Sequence, residues 1–153
     1  MGLFSFLNKK KDWFTPAEQE EILAAVRAAE RQTSGEIRIF IESRCAYVNP
    51  LDRAAEIFFG LNMHQTQQRN AVLVYLAMKD HQLAIYGDQG IHERVGTAFW
   101  TAEVQKMIAA FGKSCYKEGI IEIVNDIGRV LAEQFPYHNE DKNELPDEIV
   151  FGR

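Results

Sequence analysis

The 153-residue chain lacks the motifs by which most enzymes are recognised in sequence. It contains no G-x-S-x-G nucleophile motif, no G-x-x-x-x-G-K-[ST] phosphate loop and no G-x-G-x-x-G dinucleotide motif. Neither cysteine has an arginine six residues later, as cysteine phosphatases require, and no Asp-x-Asp pair is present to supply a phosphorylated aspartate. An enzyme built on this chain would therefore need an unusual site.

Cysteine and histidine are also scarce. Cys45 and Cys115 are the only cysteines and form no C-x-x-C pair, so a disulfide framework is not expected and both thiols are predicted to be reduced. The four histidines have no metal-ligand spacing, which argues against a zinc site; they are His64, His81, His92 and His138.

The chain has neither an excess of basic charge nor a long apolar run. Seventeen Lys and Arg against 22 Asp and Glu leave a net charge of −5, and no basic stripe that would favour nucleic acid is present. The apolar stretch 2–7 precedes the basic stretch 9–11, the reverse of a signal peptide, and is too short to span a bilayer. We expect a cytoplasmic protein with no membrane contact, in which an N-terminal segment, 1–14, precedes a single domain, 15–153.

Negative charge is concentrated near the C-terminus. The segment Asn139–Glu148 (NEDKNELPDE) carries −4 of the net −5. Two carboxylates about 4 Å apart repel by roughly 4 kcal/mol at an effective dielectric near 20, and a divalent cation would relieve that repulsion. Oxygen ligands alternate in Asp141-x-Asn143-x-Leu145-x-Asp147, as in the first half of a calcium loop, but the Gly and Glu of an EF-hand are missing.

The alternative interpretation of this segment is a solvated acidic tail, which composition alone favours. Its apolar flanks argue against that interpretation. Phe135-Pro136-Tyr137 precedes the segment and Ile149-Val150-Phe151 follows it, so we expect the chain to return to the core and to hold the acidic residues against the protein.

Hydrophobic periodicity predicts alternating helices and strands. A capping box, Thr15-Pro16-Ala17-Glu18, starts a first helix whose end is predicted at Gly35. The other predicted elements, in chain order, are a strand over 36–43, a helix opened by Asn49-Pro50, a central strand over 71–78, a tight turn over 79–81, a strand over 82–87, one or two short helices between 91 and 111, a long helix over 116–134 and an edge strand over 149–151. This order predicts a three-layer α/β/α sandwich around a small mixed sheet of about four strands.

A second polar constellation lies between the third predicted strand and the following helix. In Gly87-Asp88-Gln89-Gly90-Ile91, Asp88 is placed either to cap the helix or to bind a cation. Arg69-Asn70, just before the central strand, is placed either to bind an anion or to shape its loop. Sequence leaves both alternatives open.

Taken in order, five motifs resemble the TPM-domain family over roughly residues 15–151. They are Gly35-Glu36-Ile37, Arg69-Asn70-Ala71-Val72-Leu73, Gly87-Asp88-Gln89-Gly90-Ile91, Phe99-Trp100 and Asn143-Glu144-Leu145-Pro146-Asp147-Glu148-Ile149. The resemblance implies an α/β/α sandwich, divalent-cation binding, chiefly of calcium, and acid phosphatase activity; many members are bacterial. Because this chain shows no signal peptide or membrane anchor, it resembles the stand-alone type, in which metal ions can pin crossing loops.

Resemblance and charge together predict a Ca²⁺ site that joins the acidic segment to the loop after the third strand. Its ligands are predicted to be the side chains of Asp141, Asn143, Asp147 and Asp88 and the carbonyl of Leu145, with Glu144 as a weaker candidate. Mg²⁺ would need more water ligands than Ca²⁺ in such a set. Two other functions remain open: a metal-dependent acid phosphatase in which Arg69 steadies the phosphate, and a protein-interaction domain that needs no metal.

Overall fold

The computed structural model describes residues 13–137 and 149–152, which form five helices and four strands. In chain order the elements are α1 (Pro16–Glu30), β1 (Glu36–Glu42), α2 (Pro50–Gly60), β2 (Ala71–Ala77), β3 (Gln82–Gly87), α3 (Gln89–Val95), α4 (Thr97–Gly112), α5 (Tyr116–Gln134) and β4 (Ile149–Phe151). None of the described helices combines the length and the apolar character needed to cross a membrane.

The sheet is mixed, as predicted, and has the strand order β3-β2-β1-β4. The strands β1, β2 and β4 are parallel, whereas β3 returns antiparallel to β2 through the predicted hairpin. Glu36 lies opposite Ala71, and Val72 lies opposite Gly87, so the start of β1, the start of β2 and the end of β3 lie together at the same end of the strands. We call this end of the sheet the entry edge.

Helices cover both faces of the sheet, which confirms the three-layer prediction. On one face α1, α4 and α5 bury the side chains of Ile22, Met107 and Ile127 against the inward residues of β1 and β2. On the other face α2 buries Ala54, Ile57 and Phe58 against Leu73 and Tyr75. Both faces of β2 are therefore buried, as its almost unbroken apolar sequence predicts.

The first helix begins as predicted but ends earlier. Thr15 and Glu18 form the full capping box, whereas the helix ends at Glu30 and not at Gly35. Thr33 explains the difference, since it bridges to Pro136 and its hydroxyl donates to the carbonyl oxygen of Leu131. Gly35 is required for close packing, because a Cβ there would lie 2.8 Å from Leu131 and 3.1 Å from the carbonyl oxygen of Asn70.

The region between 91 and 111 also differs from the prediction of short helices. The 7-residue helix α3 is followed by α4, which has 16 residues. Gly96 separates the two helices with a φ of 80°, a conformation that residues with a side chain rarely adopt. The buried side chains of Trp100, Met107 and Phe111 lie along one face of α4 and hold it as one helix.

Candidate functional site

The two polar motifs singled out in sequence form one structure at the entry edge. Asp88 is 1% exposed, and its carboxylate accepts two hydrogen bonds from the Arg69 guanidinium, from Nε to Oδ2 at 2.6 Å and from Nη2 to Oδ1 at 2.8 Å. Asp88 Oδ1 also accepts the backbone N–H of Gln89 at 2.8 Å and so caps α3. Such a bidentate, charge-assisted pair is among the stronger polar contacts in proteins.

Backbone geometry holds this pair in place. Arg69 has a φ of 52°, in the left-handed region that is unfavourable for a residue with a side chain, and its carbonyl accepts the N–H of Gly90 at 2.7 Å. A Cβ at Gly90 would lie only 2.1 Å from the carbonyl oxygen of Gln68. The glycine is therefore needed for the close approach of the two loops, and Asp88 keeps the pKa of Arg69 above its usual value.

The ion pair limits what Asp88 can do as a metal ligand. A carboxylate has about four acceptor positions, of which Arg69 and Gln89 use three, so one position on Oδ2 remains. A cation at that position would be repelled by the positive charge of Arg69. Capping, one of the two alternatives for Asp88, is what the structure shows, and direct metal ligation would require Arg69 to shift.

Asn70 is a further polar residue of the entry edge. It is 1% exposed, and its Nδ2 donates to Ser34 Oγ at 3.1 Å, while Ser34 Oγ donates to Gln68 Oε1 at 3.0 Å. Asn70 Oδ1 is buried and has no hydrogen-bond partner among the described residues. A buried amide oxygen without a partner is costly and points to a missing donor or cation.

The chain on both sides of the acidic segment is anchored near the entry edge. Tyr137 donates its backbone N–H to the carbonyl of Gln32 at 3.2 Å, and Ile149 lies opposite Ile39 in the sheet. Ile149 and Phe151 are buried, so the predicted return of the chain to the core is confirmed. The predicted ligands within the segment, Asp141, Asn143, Glu144, Leu145 and Asp147, lie outside the described residues.

A cavity of about 730 Å³ adjoins the ion pair and runs along β3. Arg69 and His92 line its polar end, while Tyr86, Trp100 and Val104 supply apolar walls. Trp100 donates its indole N–H to His92 Nδ1 at 3.1 Å, which leaves Nε2 as the protonated nitrogen of the neutral imidazole. Trp100 can reach this position because Gly87 has no side chain, since a Cβ there would lie 2.3 Å from the indole ring.

Two buried ionic clusters lie away from the entry edge, and sequence reasoning missed both. At the opposite edge, Glu42 accepts from Arg53 Nε at 3.0 Å and Nη2 at 2.9 Å and from the hydroxyl of Tyr75. Burial, followed by the hydrogen bond to Glu42, raises the pKa of Tyr75. The apolar sequence of β2 predicts that both faces of the sheet are buried. A carboxylate on the adjacent strand β1 would then need a basic partner, and that reasoning could have identified Glu42.

The second cluster joins α4 to α5. Lys106 Nζ lies 2.8 Å from Asp126 Oδ2 and 3.4 Å from Glu103 Oε2. Burial of Glu103 and its proximity to Asp126 raise the pKa of Glu103 to about 7. No group of three or more His, Cys, Asp or Glu side chains suited to hold a metal ion occurs within 13–137 and 149–152.

The chain is similar to known proteins in both sequence and structure. The sequence profile described as TPM domain matches residues 7–130. The NMR structure of the BA42 protein from the psychrophilic bacterium Bizionia argentinensis is 35% identical in sequence, with a TM-score of 0.85 over 94% of this chain and 98% of that chain. No curated protein matches the chain.

More distant solved structures share the fold alone. The N-terminal domain of a protein from P. gingivalis is 19% identical, with a TM-score of 0.62 over 82% of this chain and 83% of that chain. The N-terminal domain of the cg2496 protein from Corynebacterium glutamicum is 13% identical, with a TM-score of 0.64 over 88% of this chain and 87% of that chain.

Proposed function

Because the chain belongs to the TPM-domain family, we propose that it is a binding or regulatory module that responds to divalent cations, with Ca²⁺ as the preferred ion. The proposed site lies at the entry edge and includes the acidic segment Asn139–Glu148. The observation that carries the proposal is the buried, partnerless Oδ1 of Asn70, which lies at the edge where both flanks of that segment are anchored.

The chemistry of the available donors fits a hard cation. Carboxylate, amide and backbone carbonyl oxygens are the ligands that Ca²⁺ prefers, and it accepts six to eight of them in adaptable geometry. In the proposal the ligands are Asp141, Asn143, Asp147 and the carbonyl of Leu145, with Glu144 as a weaker candidate. Asn70 Oδ1 adds a neutral oxygen, and Asp88 joins through the free position on Oδ2 when Arg69 shifts.

Charge supplies the free energy for such binding. The acidic segment carries −4, and the chain on either side of it is fixed to the domain at Tyr137 and Ile149. Carboxylates that are brought together repel one another, and a bound divalent cation relieves that repulsion. A cation that binds the folded protein alone would stabilise it by about 2.7 kcal/mol at a hundredfold excess over the dissociation constant. The stability of the domain would therefore depend on the concentration of the cation.

A Ca²⁺ titration followed by amide NMR shifts tests this proposal. Shifts are expected at Ser34, at the side-chain amide of Asn70 and at Ile149, together with a rise in melting temperature that a chelator reverses. Asp147→Asn should weaken binding strongly, whereas Glu140→Gln, which removes the same charge from a residue outside the ligand set, should weaken it less. Equal effects of both variants, or shifts confined to the far edge of the sheet, would refute the site.

A second candidate function is a metal-dependent phosphatase. The observation that favours it is the side chain of Arg69, which is 40% exposed and lines the cavity together with His92 Nε2, so both can donate to a phosphate oxygen. In this case the bound cation would polarise the phosphoryl group. Turnover of p-nitrophenyl phosphate in the presence of Ca²⁺ or Mg²⁺ that disappears in Asp88→Asn would favour this function. Absence of turnover, together with Ca²⁺-dependent melting, would favour the binding module.

A further inference from the structure

The cavity beside the ion pair follows the outer edge of the sheet. Among residues 13–137 and 149–152, the strand β3 pairs with β2 only, so its other side is an edge of the described sheet. Helix α2 packs on one face of β3 and α4 packs on the other. Because residues of both helices and the β3 residues from Leu83 to Gly87 line the cavity, it forms a groove along this edge. We call it the β3 groove.

The register of the hairpin shows which backbone groups face the groove. The N–H of Asp88 donates to the carbonyl of Ala71, which lies directly opposite, so even-numbered residues of β3 bond to β2. The N–H and C=O groups of Leu83, Ile85 and Gly87 therefore point outward. In the part of the chain that the structure describes, none of these groups makes a hydrogen bond.

These groups are unpartnered although their residues are largely buried. Leu83 and Ile85 are 8% and 3% exposed and Gly87 is half-buried. Such burial is unusual for a sheet edge and arises because α2 and α4 pack on the two faces of β3. More than nine in ten buried backbone groups in native proteins are paired, so a regular row of unpaired donors and acceptors calls for a partner. The matching partner is another extended backbone, which presents the same groups at the same spacing.

The shape of the groove determines which extended backbone fits. A paired strand lies about 4.8 Å away, in the space between α2 and α4. The β3 strand of a second copy brings its own α2 and α4, and these two helices would have to fit beside the α2 and α4 of the first copy. A bare peptide segment has no such obstruction. A volume of about 730 Å³ is also within the usual range for ligand sites.

We propose that the β3 groove binds an extended peptide segment of a partner protein, which adds to the sheet as a fifth strand whose side chains point alternately to the two apolar walls of the groove. On one side the peptide side chains would pack on Leu51 and Phe59 of α2, and on the other on Trp100 and Val104 of α4. Leu51 and Phe59 are large apolar residues that remain 44% and 43% exposed. This inference does not depend on cation binding.

An uncharged probe peptide, acetyl-Ser-Val-Thr-Val-Thr-Ser-amide, tests the inference on the full-length chain. Its addition should shift the amide signals of Leu83, Ile85 and Gly87 and slow their hydrogen exchange, because these N–H groups acquire acceptors. The same peptide N-methylated at its four central residues keeps the apolar side chains but lacks the donors, and it should not bind. Equal shifts with both peptides, or none with either, would overturn the inference.

Two variants of α4 locate the binding surface. Thr101 lines the groove and Ala102 does not, although both are exposed on the same helix. Thr101→Arg should weaken binding of the probe peptide by about tenfold or more, whereas Ala102→Arg should leave binding unchanged. If Thr101→Arg instead converts a dimer to a monomer, the occupant is a second copy. If it shifts the signals of residues 2–7 without added peptide, the occupant is the N-terminal segment of the same chain. Either result overturns the proposal of an external peptide.

Discussion

Glu103 provides a quantitative test of the electrostatics that hold α4 to α5. Its carboxylate is 3% exposed, and burial together with the neighbouring Asp126 raises its pKa from 4.5 to about 7, while Lys106 partly opposes this rise. Each pKa unit corresponds to about 1.4 kcal/mol, so the full shift would change the free energy of unfolding by about 3 kcal/mol. Lys106 is 44% exposed at this cluster, and solvent screening reduces the expected effect to about 2 kcal/mol.

The sign follows from proton linkage. The folded state holds a proton on Glu103 over a pH range in which the unfolded state has released it, so stability falls as pH rises. The contribution is complete below pH 4.5 and is lost as the pH rises through about 7. Asp126, whose pKa is lowered by the hydrogen bonds from Lys106 and Glu103 against the effect of its burial, acts in the opposite direction but only near and below its ordinary value of 3.8.

The measurement is urea unfolding of the protein and of Glu103→Gln between pH 4.5 and pH 8. The variant keeps the shape of the protonated side chain but cannot ionise, so it should match the parent near pH 4.5 and exceed it by about 2 kcal/mol at pH 8. The exposed Glu122 on α5 offers a matched control, since Glu122→Gln should leave the pH dependence unchanged. A parallel fall in stability of the parent and of Glu103→Gln would show that the reasoning is wrong.

Two further predictions concern the loop contact and the opposite ionic cluster. Gly90→Ala should cost about 1–3 kcal/mol in urea unfolding, because its Cβ would lie 2.1 Å from the carbonyl oxygen of Gln68, whereas Gly60→Ala, with nothing within 4 Å, should be neutral or slightly stabilising. Equal effects at the two glycines would contradict the close packing of the loops. Arg53→Met should cost about 3 kcal/mol at pH 7, because it leaves the buried Glu42 carboxylate with only Tyr75 as a partner. A loss below about 1 kcal/mol, or full rescue by Arg53→Lys, would show that the bidentate geometry contributes little.

The Arg69–Asp88 pair links the two proposals without making them equivalent. Arg69 and Asp88 line the polar end of the β3 groove, while Asn70, with its buried and unpartnered Oδ1, belongs to the site proposed for the cation. Cation binding that displaced Arg69 would change the charge at that end of the groove. The two titrations separate the sites, because the probe peptide reports on Leu83 and Ile85 and the cation on Ser34 and Ile149.

Sequence alone determined the elements whose causes are local. The capping box at Thr15, the alternation in β1, the apolar run of β2 and the β3 hairpin are properties of neighbouring residues, and the structure has each where the pattern places it. The three-layer architecture follows from the same patterns, and the family was inferred from the resemblance of five ordered motifs. The end of α1 and the length of α4 were mispredicted, because contacts distant in the chain determine them.

Only the tertiary structure decided how the polar residues are used. Asp88 and Arg69 lie 19 positions apart, and no local pattern indicates that they satisfy each other instead of binding separate ions. The unpaired groups of β3 are likewise invisible in sequence, since hydrogen bonding along an edge depends on strand order and register. Local composition limits which conformations a segment can adopt at low cost. The partners of buried charges and backbone groups are chosen by the complete packing arrangement, in which each such group must be satisfied by residues from other parts of the chain.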